Sequence, residues 1–438
     1  MLNSTLGDMP HMTWTNRRNT ELLDRARMVI PGGMYGHQST AMLPDAFPQF
    51  FAQAKGARLI DVDGNAYIDF ACAFGPNLFG YNHPQIEEAA RDQAALGDTM
   101  TAPAPVIVDL AEQFVAMVKH AEWAIFCKNG SDATTMAMMI ARAYAKRRKI
   151  LVAEGAYHGT STWSTPRLAG TLPEDRAHLV TFRYNDVESL ESAFQKHRGD
   201  IAGVFASPFK HDAFQDQSLP DPAYAMAARR LCDADDALLI IDDVRAGFRM
   251  ARDCSWSTIG VQPDLSAWGK AIANGHPISA LAGSERVRDA AQKIYVTGSY
   301  WYSAVPMAAA VATLRQIRET GYLEHIIDIG QKLRDGLHAQ ATDFGFELRQ
   351  TGPAQMPQIL FTDDPDLRLG FAWTAAALRR GAYLHPFHNM FMNAAMTDAD
   401  ISLALEATEG AFRELRERRA TLGPNENALM RARLQGAA

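Results

Sequence analysis

Ala237-Leu238-Leu239-Ile240-Ile241-Asp242-Asp243-Val244-Arg245-Ala246-Gly247-Phe248-Arg249 is the stretch on which the fold turns. An apolar run without polar alternation describes a strand covered on both faces, as in a parallel sheet flanked by helices. The run ends in two carboxylates, and ligand chemistry in open α/β sheets collects at the carboxyl ends of such strands. Alone, Asp242 and Asp243 would read as solvated loop acids. A second stretch changes that reading: Pro263-Asp264-Leu265-Ser266-Ala267-Trp268-Gly269-Lys270-Ala271-Ile272-Ala273-Asn274-Gly275 is a short apolar strand that runs into a glycine and delivers one cation into a loop of small residues. A lysine in apolar surroundings loses part of its preference for the charged form, and the neutral amine is a nucleophile toward carbonyls.

A carboxylate on one strand end and a lysine on its neighbour are what pyridoxal phosphate requires, the acid holding the ring nitrogen protonated and the lysine forming a Schiff base. Asp242-Asp243-Val244, Gly247-Phe248-Arg249, Gly269-Lys270 and Gly275-His276-Pro277-Ile278, in that order, resemble the signature of class III pyridoxal-phosphate aminotransferases, especially the glutamate-1-semialdehyde aminomutase branch. The resemblance runs from about residue 20 to about residue 415, with Asp243 standing where relatives carry Glu. It implies fold type I, an α/β fold with a mostly parallel sheet in a large domain beside a small α+β domain. The expected division is 1–60 and 321–438 for the two parts of the small domain and 61–320 for the large, cofactor-binding one. Lys270 and Asp242 are the expected catalytic residues, and Val244, next in the signature, joins the cofactor-binding set.

Composition agrees with this and would not have produced it. The 438 residues are 47% hydrophobic and 21% charged, and the net charge of -7 argues against a nucleic-acid partner. Four scattered cysteines, Cys72, Cys127, Cys232 and Cys254, lack metal spacing and suit reduced thiols in a cytoplasm. No run approaches the roughly 20 apolar residues of a membrane span. Polar Asn3, Ser4 and Asp8 near the start give no sign of a signal peptide.

Along the chain, a helix is expected from about Asn19 to Val29. The Asp63-Gly64 step predicts a hairpin between Ala57–Ile60 and Ala66–Phe70. The loop Phe74–Pro84 offers Asn77 and Tyr81 as substrate contacts, against a purely structural turn. The strand Trp123–Cys127 turns through Asn129-Gly130-Ser131 into a helix, aiming unpaired N–H groups and the positive end of the helix dipole at one point. A plain N-cap by Ser131 or Asp132 is the competing account. The resemblance makes Gly130 and Ser131 the phosphate-binding pair, Tyr157 the ring stacked on the cofactor and His158 a support of its pocket. It places Ser299 where a hydroxyl reaches the phosphate of a neighbouring subunit, which implies a homodimer with shared active sites. Ser207 replaces the Glu of the relatives' Glu-Pro. Lys210 and His211 read as surface charges, with a pocket for a different acceptor as the alternative, while Trp301 and Tyr302 add bulk near the cofactor. The loop Leu384–Asn393 resembles the segment that closes over the substrate, and the tail after about Arg413 reads as a solvated helix with a frayed end.

The aminomutase branch uses an arginine eight residues after the proline of Pro-Gly-Gly to bind the substrate carboxylate. Here that position holds Ser39, so no guanidinium fork is available there. The expectation is therefore a transaminase moving an amino group between a small-molecule amine and an aldehyde or ketone, such as a hydroxylated or sugar-like one. Glutamate-1-semialdehyde aminomutase or amino-compound epimerase chemistry is the alternative.

Overall fold

Leu238–Asp242 forms the strand its apolar run demands, with every side chain from Leu238 to Ile241 fully buried. The computed structural model describes residues 14–435, so Asn3, Ser4 and Asp8 lie outside the described residues. Its strands are β1 (Phe51–Lys55), β2 (Arg58–Asp61), β3 (Ala66–Asp69), β4 (Trp123–Cys127), β5 (Lys149–Ala153), β6 (Leu179–Phe182), β7 (Ile201–Ala206), β8 (Leu238–Asp242), β9 (Leu265–Trp268), β10 (Ser279–Gly283), β11 (Leu348–Thr351), β12 (Gln358–Phe361) and β13 (Ala382–Tyr383).

Seven of them form one sheet in the order β4-β10-β9-β8-β7-β5-β6, with β8 in the middle. The pairs from β6 through β9 are parallel, whereas β10 runs antiparallel to both β4 and β9. Along β8, side chains alternate between two cores. Leu238 and Ile240 belong to one core, with Met136, Ile140 and Ala141 of the helix Gly130–Ala145, while Leu239 and Ile241 belong to the other, with Phe114 and Met307. Each buried Leu or Ile contributes about 1.5–3 kcal/mol relative to exposure, so β8 can sit nowhere but inside. The register sets Asp242 opposite Ala267, and Lys270 follows just past the end of β9. The carboxyl ends of β4, β5, β7, β8 and β9 thus share one edge.

A second sheet, β1-β2-β3-β13, contains the expected hairpin, whose turn is held by Asp61 accepting the backbone N–H groups of Asp63 and Asn65, each at 2.9 Å. Its fourth strand arrives from the far end of the chain, as β13 lies parallel to β3. The boundary expected at residue 61 falls on the last residue of β2, inside this sheet. The helix near the start runs Arg17–Val29.

For Tyr81 and Asn77 the structural alternative has the support: the Tyr81 hydroxyl donates to Asp69 Oδ2 at 2.6 Å, and Asn77 is 5% exposed. Asp69 also accepts the N–H groups of Ala71 and Cys72, which ties the Tyr81 end of this loop to the turn that precedes it. One expectation needs correction: as far as residue 435 the tail is not frayed. After the helix Asp398–Arg418, the short helix Ala428–Leu434 seats Met430 among Leu43, Phe47 and Phe371, and Asn427 Nδ2 donates to Ala41 O at 2.9 Å. Burial lifts the Asp69 carboxyl to about 6, with its hydrogen bonds opposing. Tyr81→Phe removes one of them, and a lowered unfolding midpoint of the apoprotein, equivalent to about 1–3 kcal/mol, is the expected result.

Candidate active site

The turn after β9 is strained where it presents its cation. Lys270 adopts φ 47°, a left-handed conformation that a non-glycine residue enters only when its surroundings dictate it. Its Nζ donates to the carbonyl of Phe74 at 2.8 Å, and Phe74 lies in a turn in which Cys72, Ala73 and Phe74 all have positive φ. Burial pushes the Lys270 amine down to about 7, the guanidinium charges of Arg245 and Arg249 push the same way, and Asp242 opposes them.

The two acids at the end of β8 point to different tasks. Asp242 is buried, with Oδ2 accepting from His158 Nδ1 at 2.7 Å and Oδ1 accepting from the Val244 N–H at 3.2 Å. His158 is itself fixed by parallel stacking on Trp163 and a tilted contact with Phe205, so it orients the carboxylate from behind. Asp243 turns into the core, where it takes the backbone N–H and the hydroxyl of Ser255, and burial raises it to about 6. Only Asp242 faces the lysine's side of the sheet edge.

The helix Gly130–Ala145 points its N-terminus at the same edge. Asp132 closes the turn by accepting the Asn129 N–H at 2.9 Å, while the N–H groups of Gly130 and Ser131 find no acceptor among the described residues. The cap and an anion site therefore coexist. A Cβ on Gly130 would lie 2.7 Å from Val244 Cγ1, and one on Gly159, at φ 109°, would lie 2.5 Å from Ser131 Oγ. Ser131 Oγ in turn accepts the Thr160 N–H at 3.0 Å. Tyr157 follows β5 with 36% of its surface exposed and no ring of the described residues packed on it, within electrostatic reach of Asp242 and Arg245. Ser299 is exposed and makes no hydrogen bond within the described residues of this chain.

Around Phe74 stands a group whose roles the sequence did not reveal. His37, His385 and His388 surround the Phe74 ring, with centroids at 4.8, 6.1 and 5.3 Å. His385 Nδ1 accepts the N–H groups of Phe387 and His388, and His388 Nδ1 donates to Asn389 O at 2.6 Å. Burial lowers all three histidines, as it does His211, so they stay neutral. His211 is thus not the surface charge expected of it: it is buried against Phe209, and its carbonyl accepts from Arg245. Lys210 is half-exposed and paired at 3.8 Å with Asp212. Trp301 folds beneath Gly298, and Tyr302 is exposed. Ser39 accepts the Ala41 N–H, and it is His37 of that segment that reaches Phe74. The signal that could have found Arg245 was present: a charged residue three positions past the acid at a strand's carboxyl end.

An amine held near neutrality, an acid clamped by an imidazole and two free N–H groups at a helix start match the aldehyde, ring nitrogen and phosphate of pyridoxal phosphate. Fold and residues together define a pyridoxal-phosphate enzyme of fold type I. A model of the family described as aminotransferase class-III matches residues 41–411, and the chain belongs to that family. An aminopentol aminotransferase of Sphingopyxis macrogoltabida is 59% identical over 408 residues, 93% of this chain and 97% of that protein. The FumI protein of Sphingopyxis sp. MTA144, solved in its pyridoxal-phosphate internal aldimine form, superposes with a TM-score of 0.93 at 58% identity, covering 94% of this chain and all of that one. A glutamate-1-semialdehyde 2,1-aminomutase of Desulforudis audaxviator is more distant, 32% identical over 430 residues, 92% of this chain and 99% of that protein. The protein is a pyridoxal-phosphate-dependent aminotransferase of small molecules.

With its amine pushed to about 7, Lys270 of the apoprotein should acylate with a pH midpoint near that value, far below an ordinary lysine. Mass mapping of acylation against pH checks this, with Lys55 as an exposed reference.

Proposed function

We propose that this aminotransferase takes its amino group from a hydroxylated primary amine of the aminopentol kind and passes it to a carbonyl acceptor. One observation supports this above the others: three neutral imidazoles, with Ser39 in place of an arginine, gather round Phe74, whose carbonyl accepts from Lys270. Imidazoles locked in one tautomer offer a donor or an acceptor to hydroxyls without demanding a charge. The 59% identity to an aminopentol aminotransferase points the same way.

Bound pyridoxal phosphate supplies an electron-accepting ring that lets an amine lose the proton from its nitrogen-bearing carbon. In this reading Lys270 Nζ, neutral near pH 7, holds the cofactor at rest and carries that proton between substrate and cofactor carbons. Asp242 keeps a proton on the pyridine nitrogen, and His158 holds Asp242 to that line. The N–H groups of Gly130 and Ser131, with the Ser131 hydroxyl, take the phosphate. Val244 and Tyr157 bound the ring's two faces. Ser299 serves the phosphate of a second copy, which makes the working unit a homodimer. The division into a cofactor-binding domain of about residues 61–320 and a small domain from both chain ends belongs to the same proposal. Four buried free thiols support a reducing, cytoplasmic setting, and among the described residues no helix is long and apolar enough to cross a membrane.

The test is direct. Holoenzyme mixed with aminopentol and no acceptor should lose its visible cofactor absorbance and release the carbonyl product stoichiometrically. Lys270→Ala should slow this by about 10²–10⁴-fold. Efficient turnover of glutamate-1-semialdehyde as sole substrate would instead establish the aminomutase reading. Sedimentation should give a dimer, and Ser299→Ala should weaken cofactor retention.

A further inference from the structure

His385 and His388 sit in the loop that follows β13, with Pro386 and Phe387 between them. Both make edge contacts with the ring of Phe74, the residue whose carbonyl accepts from Lys270. The backbone locks the two imidazoles in opposite senses. His385 Nδ1 accepts two N–H groups, from Phe387 at 3.3 Å and from His388 at 3.0 Å, so that nitrogen carries no proton. His388 Nδ1 faces the carbonyl of Asn389 at 2.6 Å, and because a carbonyl only accepts, that nitrogen carries the proton. Burial keeps both rings neutral, lowering His385 to about 3 and His388 well below its usual value, and the positive charges of Arg245 and Lys270 push His388 the same way. A neutral imidazole holds one N–H. The outer nitrogens are therefore unlike: His385 Nε2 is a donor, and His388 Nε2 is a bare acceptor.

Neither Nε2 meets a partner among the described residues, and neither is among the polar atoms sealed inside the protein. The histidines that pair with acids are His158 and His276, not these two. Among the described residues no cluster of His, Cys, Asp or Glu side chains could hold a metal ion. His37, the third imidazole beside Phe74, makes no hydrogen bond among the described residues, so nothing fixes which of its nitrogens donates. The ring centroids of His385 and His388 are 5.5 Å apart, the scale of two hydrogen bonds of roughly 2.8 Å meeting at one oxygen.

A donor and an acceptor side by side select by chemistry. A carboxylate only accepts and would confront the lone pair of His388. An ammonium only donates and would confront the N–H of His385, while a methyl group would leave both nitrogens without a partner. A hydroxyl does both. We propose that His385 and His388 form a hydroxyl-reading subsite, in which a hydroxyl of the donor amine accepts from His385 Nε2 and donates to His388 Nε2. The inference rests on the reading of a hydroxylated amine as donor and deepens it, because it assigns each ring one direction of bond. Phe74 joins the subsite to Lys270, meeting the imidazoles with its ring and the amine with its carbonyl.

The probes are 2-aminoheptane and its derivatives with one hydroxyl or one methoxy group at each successive carbon beyond the amine, offered as donors to the holoenzyme. A methoxy oxygen still accepts from His385 but has no proton for His388. At one position kcat/KM should rank hydroxy over methoxy over unsubstituted, with about 10- to 100-fold between first and last. His388→Phe removes the acceptor from an aromatic frame of similar size and should bring the hydroxy-to-methoxy ratio at that position close to one. His388→Gln, whose amide oxygen accepts, should restore part of the preference. A flat ranking at every position overturns the proposal, as does an unchanged hydroxy-to-methoxy ratio in His388→Phe. Nitrogen-15 spectra of histidine-labelled protein, assigned through His388→Gln, should place the His388 proton on Nδ1, and a proton on Nε2 overturns the proposal even if His388→Phe fails to fold. Hydroxylated amines deaminated no better than their methoxy counterparts leave the functional reading standing and remove the subsite. Hydroxylated amines that bind without being deaminated remove the functional reading, and the calorimetric ratio of hydroxy to methoxy binding then decides the subsite alone.

Discussion

A buried amine held close to neutrality is the constraint around which this protein is arranged. Lys270 is disfavoured as a cation by burial and by two guanidinium groups, while Asp242 pulls in the opposite direction. That balance needs a rigid frame, because a few ångströms of drift would let the amine reach water and charge fully. The frame consists of β8 and β9 in fixed register, a left-handed backbone at the lysine and a carbonyl from the strained Cys72–Phe74 turn. The cores on the two faces of the sheet secure the strands, and the strands aim the amine.

The pocket's electrostatics follow from how each charged group is occupied. Asp242 is committed to an imidazole, Asp243 to a serine, and Arg249 to backbone carbonyls and an aromatic face. The surrounding histidines are kept neutral by burial. What remains is a space with few fixed charges, in which Arg245 stands out because its partners are uncharged. Low dielectric makes such a charge, with Asp242 and Asp212 acting on it, more consequential than the many exposed ion pairs on the surface.

How much of this was readable in the chain depended on the range of the contacts involved. Apolar runs announced β8 and β9, the Asp-Gly step announced the β2–β3 hairpin, and the strand-glycine-helix passage at Gly130 announced a helix start. These are local patterns. The fate of Tyr81, by contrast, is decided by a carboxylate on another element, and that of His211 by burial against Phe209 beside a guanidinium from the next strand end. Met430 docks on residues nearly four hundred positions earlier. The antiparallel direction of β10 is set by pairing with β4 and β9, which its small apolar residues do not encode. Arg245 was visible as a residue, but its neighbours Asn389 and His211 come from other segments, and only the assembled structure shows that its hydrogen bonds go to neutral acceptors.

The pairing of β13 with β3 has a consequence for biosynthesis. Ile68 aligns with Ala382, a separation of roughly three hundred residues, and closing so long a loop carries an entropic penalty that only later contacts offset. While the ribosome is still working, β3 emerges with no neighbour on that flank, and the flank stays open until the residues of β13 appear. The sheet is therefore completed for this segment only once the residues near 382 are present.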